Sequence, residues 1–477
     1  MIEAALRNRW RQATRLYAAW PSTTILSGLC LLIAGTVAIN LALMALGRST
    51  VLQLLIDWAV QPTTTKGDSW DFMHMAREWL AAHGSGPGLY DDLFFAQHHK
   101  FQYAPTSLLV YDAISALGFT PTHALLNSIG HVAITLTALG VGVMAFLMVR
   151  RSPAGNAADT RIASYLAIPV GIALTLTFYP VLRAYELGQL QTWINFLFVG
   201  AVIAWLVDRR SLAGVLIGLI CLMKPQFGLF LLWGLFRREW RFGAALALTG
   251  FIGLMLSIAL YGFENHLAYI KVLSFLSQHG ESFWPNQSVN GLMHRLLTEG
   301  PHDFHAESFP DANALVSLAT LVTSVALIAF ALFFRRGEGE NARLADFLLA
   351  AVVFTAASPI AWEHHYGILA PAFVALALMF TTTPAYRTHI PVIAAFAAAF
   401  FFASSYLPYF RYVPGPLSPV QSYLFFAALG VLAMLRFQAA RTAESVESPW
   451  SAHAQTVVSL VRRGVRRVSR AVQSRTR

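Results

Sequence analysis

The residues of this chain that could do chemistry gather in a few short runs between long apolar stretches. The densest is Gly67-Asp68-Ser69-Trp70-Asp71-Phe72-Met73. Gly88-Leu89-Tyr90 follows, then Lys100-Phe101-Gln102-Tyr103-Ala104-Pro105-Thr106-Ser107-Leu108-Leu109. A carboxylate near a membrane surface and flanked by aromatics is placed to act as a general base, because partial burial raises its pKa towards working pH. The pattern alone favours the other reading, in which Asp68 or Ser69 caps the start of a surface helix.

Other polar runs offer binding chemistry. In Tyr179-Pro180-Val181-Leu182-Arg183-Ala184-Tyr185-Glu186 a fixed guanidinium can offer paired donors to an anion. Arg183 is the candidate for that role, and Glu186 for orienting it or an acceptor; a plain surface ion pair between the two is the other reading. Lys224 lies between two apolar half-helices, where a charge costs at least ~2.5 kcal/mol unless paired or hydrated. An anionic lipid phosphate would be a fitting partner, helped by the helix start at Pro225, whereas snorkelling to headgroups is the alternative. Asn286-Gln287-Ser288, with His294 and Arg295, suits sugar hydroxyls and phosphate, or else Asn286 or Ser288 caps a helix over Val289 to Leu297. His364 and His365 are adjacent and so point to different helix faces, which makes them poor joint metal ligands. One of them can face a cavity while the other packs, or both can sit at the interface without a role. No ligand cluster argues for a metal and no cofactor is expected. Cys30 and Cys221 lie in apolar runs and form neither a disulfide framework nor a metal knuckle.

These residues need elements to hold them, and composition says what kind. The chain is 56% hydrophobic and 12% charged, against roughly 45–50% and about 25% in soluble domains, so it lacks the charged skin that water requires. The expectation is an all-α integral membrane protein of about twelve transmembrane helices. They run from about Ile25 to Leu46, His123 to Val149, Ile162 to Pro180, Gln189 to Val207, Ser211 to Met223, Gln226 to Phe236, Phe242 to Gly262, Ala312 to Phe334, Leu344 to Ile360, Tyr366 to Phe380, Ile390 to Tyr406 and Val420 to Leu435. Ser211 to Met223 and Gln226 to Phe236 are too short to cross singly and are read as a hairpin with Lys224 and Pro225 at its tip. Pro105 to Leu117 is read as a helix lying in the outer interface.

Charge fixes orientation and domain limits. Residues 1–20 form a basic N-terminus and 437–477 a basic tail, which marks both as cytoplasmic. Alternation from an inside N-terminus also places Arg150/Arg151, Arg209/Arg210, Arg237/Arg238/Arg241, Arg335/Arg336 and Arg387 inside. Residues 21–436 are then the multi-span domain, with large outer loops over about 47–122 and 263–311. Val457, Val458, Val461, Val465, Val468 and Val472 recur at helical spacing among five arginines, as a basic amphipathic helix for anionic lipids of the inner leaflet does. A partner-binding helix and a disordered tail are the rivals. No basic, aromatic-interleaved domain stands outside the membrane region, so no nucleic-acid partner is expected.

Six motifs in order carry a resemblance: Asp-Ser-Trp at 68–70, Lys-Phe-Gln-Tyr-x-Pro-Thr-Ser-Leu-Leu at 100–109, Tyr-Glu-Leu-Gly-Gln at 185–189, Lys-Pro-Gln at 224–226, Asn-Gln-Ser at 286–288 and Ser-Pro-x-x-Trp-x-His-His at 358–365. From about residue 20 to 436 the sequence resembles the family 87 glycosyltransferases of the C superfamily (GT-C). It departs at Ala104, where close relatives usually carry a second proline. The resemblance implies a transferase of the inner membrane that moves a sugar, with inversion, from a polyprenyl-phosphate donor to a glycolipid or glycan acceptor on the outer side. It also implies an essential acid in the first outer loop, which by motif order is Asp68, with Asp71 in reserve. Arg183, Glu186, Lys224, Asn286, Gln287, Arg295, His364 and His365 are then candidate substrate ligands. A lipid or sugar transporter is the rival reading, but no internal repeat is found and the polar clusters sit at outer helix ends, away from mid-membrane. A receptor or scaffold is the third.

The charge pattern makes a topological prediction: single cysteines at Ser85 and Ser282 should be labelled by an impermeant thiol reagent only from outside. Labelling of either from the cytoplasm would invert the assignment.

Overall fold

The structure is a computed structural model that describes residues 19–61, 66–153, 155–297, 308–334, 336–382, 390–413 and 415–440. Most of the basic N-terminus, Arg335, Arg387 and the expected tail helix lie outside the described residues. Within them the fold is all helix and turn, and the one extended pairing joins Asn286 to Trp362.

Helix α1 (Pro21–Ala45) is followed by the short α2 (Val51–Val60), α3 (Asp68–His83) and α4 (Leu109–Ala116). The long α5 (His123–Arg151) starts where the Thr122 hydroxyl accepts the Leu125 amide at 3.2 Å. Helix α6 (Ala157–Leu176), capped by Asn156, bends by 52° into α7 (Tyr179–Glu186). Then come α8 (Gln191–Leu206), α9 (Arg210–Met223), α10 (Leu229–Phe236), α11 (Trp240–Tyr261), α12 (Phe263–His279) and α13 (Val289–Leu297). The last five are α14 (Ala314–Phe333), α15 (Glu340–Ala356), α16 (Leu369–Met379), α17 (Ile390–Ser404) and α18 (Tyr423–Ala439).

Among the described residues five helices are long and apolar enough to cross a membrane, or six if the bent α6–α7 pair is one span. The expected count of twelve spans is not established by these helices. The reason is that an apolar run marks burial, whether in lipid or in protein. Helix α16 is buried along its whole length and α15 along nearly all of it, so their hydrophobicity belongs to the protein core. At ~1.5 Å per residue, helices of this size also fall short of a ~30 Å hydrocarbon layer.

Close packing and paired charges set the helix ends. Helices α5 and α6 cross at Gly142 and Gly171, where a Cβ on Gly171 would lie 2.7 Å from the Gly142 backbone, the small-residue contact that lets membrane helices approach. Asp159 of α6 accepts the Ser22 and Thr23 amides at 3.1 and 2.9 Å, satisfying donors at the start of α1. Arg237 grips the buried Asp346 through two nitrogens at 2.7 and 3.1 Å, Arg336 reaches Glu239 at 3.4 Å, Arg151 binds the Leu206 carbonyl, and Gly337 donates to the Ala439 carbonyl at 2.7 Å. These contacts gather the C-terminal ends of α5, α8, α10, α14 and α18 on one face. The N-terminal ends of α5, α8 and α10 therefore point the other way, together with the α9–α10 break at Lys224 and the turn after α15. That far end carries the polar groups.

The α5–α6 crossing should not accept a side chain. Gly171→Val is expected to destabilise the protein by about 1–3 kcal/mol, read as a lower Tm in detergent, whereas Gly250→Ala, with open space around its Cα, should leave Tm in place.

Candidate active site

The first turn of α3 is fixed by backbone contacts with a distant segment. The Lys66 amide donates to the Glu186 carbonyl at 3.0 Å, Asp68 to Leu187 at 2.8 Å and Ser69 to Gly188 at 3.0 Å. Gly67 and Gly188 take φ of 72° and 69°, which glycine adopts without a steric penalty. Helix-start donors that a side-chain cap would otherwise meet are thus met by carbonyls. Neither Asp68 nor Ser69 caps the helix. Both turn to Gln189, whose Nε2 donates to the Asp68 carboxylate while its Oε1 lies 2.8 Å from the Ser69 hydroxyl and 2.8 Å from the Tyr103 hydroxyl. Burial raises the Asp68 pKa above the ordinary carboxylate value, and the Gln189 hydrogen bond and the Arg183 charge offset only part of that.

Asp68 lines a cavity of about 620 Å³. Tyr103, Gln189, Lys224 and His365 share its wall, and Leu229, Leu273, Leu276, Ile328 and Phe354 make an apolar side. Lys224 reaches it because Pro225 breaks the helix: the residue before a proline avoids the α region, and Lys224 is extended at φ −134° and ψ 94°. It is buried, and its Nζ donates to Gln191 Oε1 at 2.6 Å, with Gln191 Nε2 in turn 2.9 Å from Asn195 Oδ1. Among the described residues no carboxylate pairs with it.

The turn after α15 places the histidines apart, His365 on the cavity wall and His364 packed beside it, with ring centroids 4.6 Å apart. Burial, and after it the Lys224 charge, lowers the pKa of both well below the ordinary imidazole value, so they stay neutral. His364 Nε2 and His365 Nδ1 are buried without a hydrogen-bond partner. Glu363 beside them accepts from the Tyr179 hydroxyl, stands 3.3 Å from Arg183 Nε, and is raised to about 7 by burial. Arg183 also pairs with Glu186, which in turn meets Lys66 at 2.7 Å. Its charge is therefore already shared by two carboxylates, and neither it nor Glu186 lines the cavity. Asp71, half exposed, pairs with His123 at 3.2 Å and is likewise absent from the wall.

Asn286, Gln287 and Arg295 are brought near the histidine turn but hold backbone. Asn286 donates to the Glu281 carbonyl at 2.8 Å and accepts the Ala361 amide at 3.0 Å. Gln287 spans the Trp284 and Gln421 carbonyls and the Leu424 amide. Arg295 donates to the Asn286 carbonyl at 3.1 Å and to the Ser422 hydroxyl at 2.5 Å. Ser288 caps α13 through the Gly291 amide at 3.2 Å. This group braces residues 361–363, and none of it lines the cavity. Among the described residues no three His, Cys, Asp or Glu side chains are grouped to hold a metal ion.

One cavity is thus lined by a part-buried carboxylate, by an ammonium with no carboxylate partner among the described residues, and by an apolar wall. The sequence profile of Glycosyltransferase family 87 matches residues 101–359. The chain belongs to glycosyltransferase family 87. It is thus a sugar-transferring enzyme with several apolar helices suited to a membrane. No curated protein and no solved structure matches it. The matched stretch of the glycosyltransferase holds Tyr103, Gln189 and Lys224, while Asp68 and His365 fall just outside it.

Sequence reasoning passed over several residues that build the transferase's cavity. Gln189 and Tyr103 stand within quoted motifs but have no evident task until the fold joins them. Gln191 and Asn195 leave a signal, two amides one turn apart on an apolar helix. Glu281 leaves none, since its partner Lys100 is 181 positions away. The two form a buried ion pair of 2.9 Å on the cavity's edge. Glu281→Gln should leave the lysine with a weaker buried partner and lower stability by roughly 3 kcal/mol, measurable as a lower Tm and urea midpoint.

Proposed function

We propose that the protein is a membrane glycosyltransferase that moves a sugar from a polyprenyl-phosphate donor to the hydroxyl of a glycolipid or glycan acceptor on the outer face of the cytoplasmic membrane. The observation that carries this reading is the single cavity shared by Asp68, Lys224 and the apolar side chains of α10, α12, α14 and α15. A lipid-linked donor needs an apolar wall for its chain and a cation for its phosphate, and the cavity offers both. Orientation follows from the arginine-bearing helix ends, which belong in the cytoplasm, so that the opposite end, with the cavity, faces outward.

The reaction is a single displacement. The acceptor oxygen attacks the anomeric carbon, its proton passes to the Asp68 carboxylate, and the bond from the anomeric carbon to the phosphate oxygen breaks with both electrons leaving on that oxygen. Attack and departure on opposite sides invert the anomeric centre. Burial that raises the Asp68 pKa above the usual carboxylate value makes its carboxylate a stronger base. Lys224 meets the charge on the leaving phosphate as a compact ammonium. His365, neutral and with an unpartnered Nδ1, can supply a hydrogen bond to the same group.

Transfer from a radiolabelled polyprenyl-phosphate sugar in proteoliposomes tests this. Asp68→Asn should reduce turnover by ~10²-fold or more with donor affinity retained, and Asp71→Asn should leave it close to normal; the reverse pattern would hand the base role to Asp71. Lys224→Gln should raise the donor KM and lower kcat together, because it removes attraction in both ground and transition states. Unchanged donor kinetics in this variant would show that the phosphate binds elsewhere.

A further inference from the structure

Two segments remote in sequence converge on one side-chain amide beside the proposed base. Gln189 is 7% exposed, and its own backbone amide is tied to the Ala184 carbonyl at 2.9 Å. An ionised carboxylate can only accept hydrogen bonds, so the end of the amide facing Asp68 must be its nitrogen. Its carbonyl end faces two hydroxyls, which can donate to it: Ser69 and Tyr103, each at 2.8 Å. Those hydroxyls are fixed in turn. Ser69 Oγ accepts the Leu190 amide at 3.1 Å and lies 2.7 Å from Tyr103 Oη, while the Tyr103 backbone carbonyl accepts the Tyr90 hydroxyl at 2.6 Å. A flipped amide would set oxygen against carboxylate and leave the hydroxyls facing an NH2 group.

We infer that Gln189 is a positioning residue for this transferase: oriented by Tyr103 and Ser69, its amide nitrogen holds the Asp68 carboxylate in the orientation that meets the acceptor hydroxyl. The inference rests on the reading of Asp68 as the base and adds to it the device that aims the base. The device matters because a carboxylate on the first residue of a helix can rotate. Displacing a reacting group by about 1 Å costs on the order of 10²-fold in rate. A buried amide with both ends engaged removes that freedom without adding a charge to the cavity.

The test is the pH dependence of sugar transfer in proteoliposomes by the full-length protein, using a polyprenyl-phosphate sugar and varying one substrate at a time. Gln189→Met keeps length and removes the donor. It should lower kcat by ~10-fold or more, leave the donor KM within about two-fold, and move the acid limb of the profile to higher pH, because the lost hydrogen bond favoured the ionised carboxylate. Tyr103→Phe, which does not touch Asp68, should shift kcat and the limb in the same direction by less. The charged groups facing Asp68 are Arg183 from α7, Lys66 from the preceding segment and Asp71 one turn on, and neither variant alters them. An unchanged donor KM shows the cavity to be intact; if Gln189→Met does not fold, Tyr103→Phe decides alone. Wild-type kcat and an unmoved limb in these variants, with Asp68→Asn inactive, would overturn the inference and leave the base assignment standing. Full activity in Asp68→Asn would remove both.

Discussion

The short backbone pairing of residues 66–69 with 186–188 determines where the carboxylate proposed as the base, Asp68, stands. Three amide-to-carbonyl bonds of 2.8 to 3.0 Å, each contributing ~1 kcal/mol net, lock the start of α3 onto the turn that follows the bent α6–α7 pair. Two glycines in left-handed conformations make that approach possible. The rest of the site is arranged around this contact. It delivers Gln189 to Asp68, brings Arg183 close enough to act on the carboxyl, and sets α8 so that Gln191 reaches Lys224 one turn deeper. Because the contact joins segments some 120 positions apart, it forms only when the start of α3 has folded down on the helices, so the proposed base is assembled by tertiary structure.

Electrostatic accounting then separates the cations of the site. Arg183 is held by Glu186 and Glu363, Lys100 by Glu281, and Arg295 by carbonyls and a hydroxyl. Arg183 and Lys100 have counter-charges, and Arg295 spreads its charge over several neutral acceptors. Lys224 has an amide. A buried ammonium with a single neutral acceptor among the described residues is expensive in an apolar setting, and an anion entering the cavity would relieve that cost. Structural cations and the candidate ligand cation are thus told apart by their partners, whereas their position in the sequence gives no such distinction.

The helical class, the basic helix ends and the clustering of polar residues at the opposite end were legible in the sequence, because each follows from local composition or charge. Asp68, Lys224 and His365 were legible as candidates, since an ionisable group in an apolar stretch calls for an explanation wherever it occurs. The number of spans was not, because α16 is as apolar as the longer helices and only the fold shows that protein surrounds it. The braces Asn286, Gln287 and Arg295 read in sequence as sugar and phosphate ligands, since amides and guanidinium groups suit backbone carbonyls as well as they suit hydroxyls. Gln189 and Glu281 could not be given tasks before their distant partners were known.

The central claim is that one cavity holds the lipid-linked donor with its phosphate on Lys224 and its sugar facing Asp68. It is tested most directly by an experimental structure of the full chain in nanodiscs with a non-hydrolysable polyprenyl-phosphate sugar analogue. The account predicts density for the phosphate within hydrogen-bond distance of Lys224 Nζ, a lipid chain along Leu273, Leu276 and Ile328, and the sugar between the phosphate and the Asp68 carboxylate. A phosphate bound at Arg183 or Arg295, with the cavity empty of donor, would contradict it.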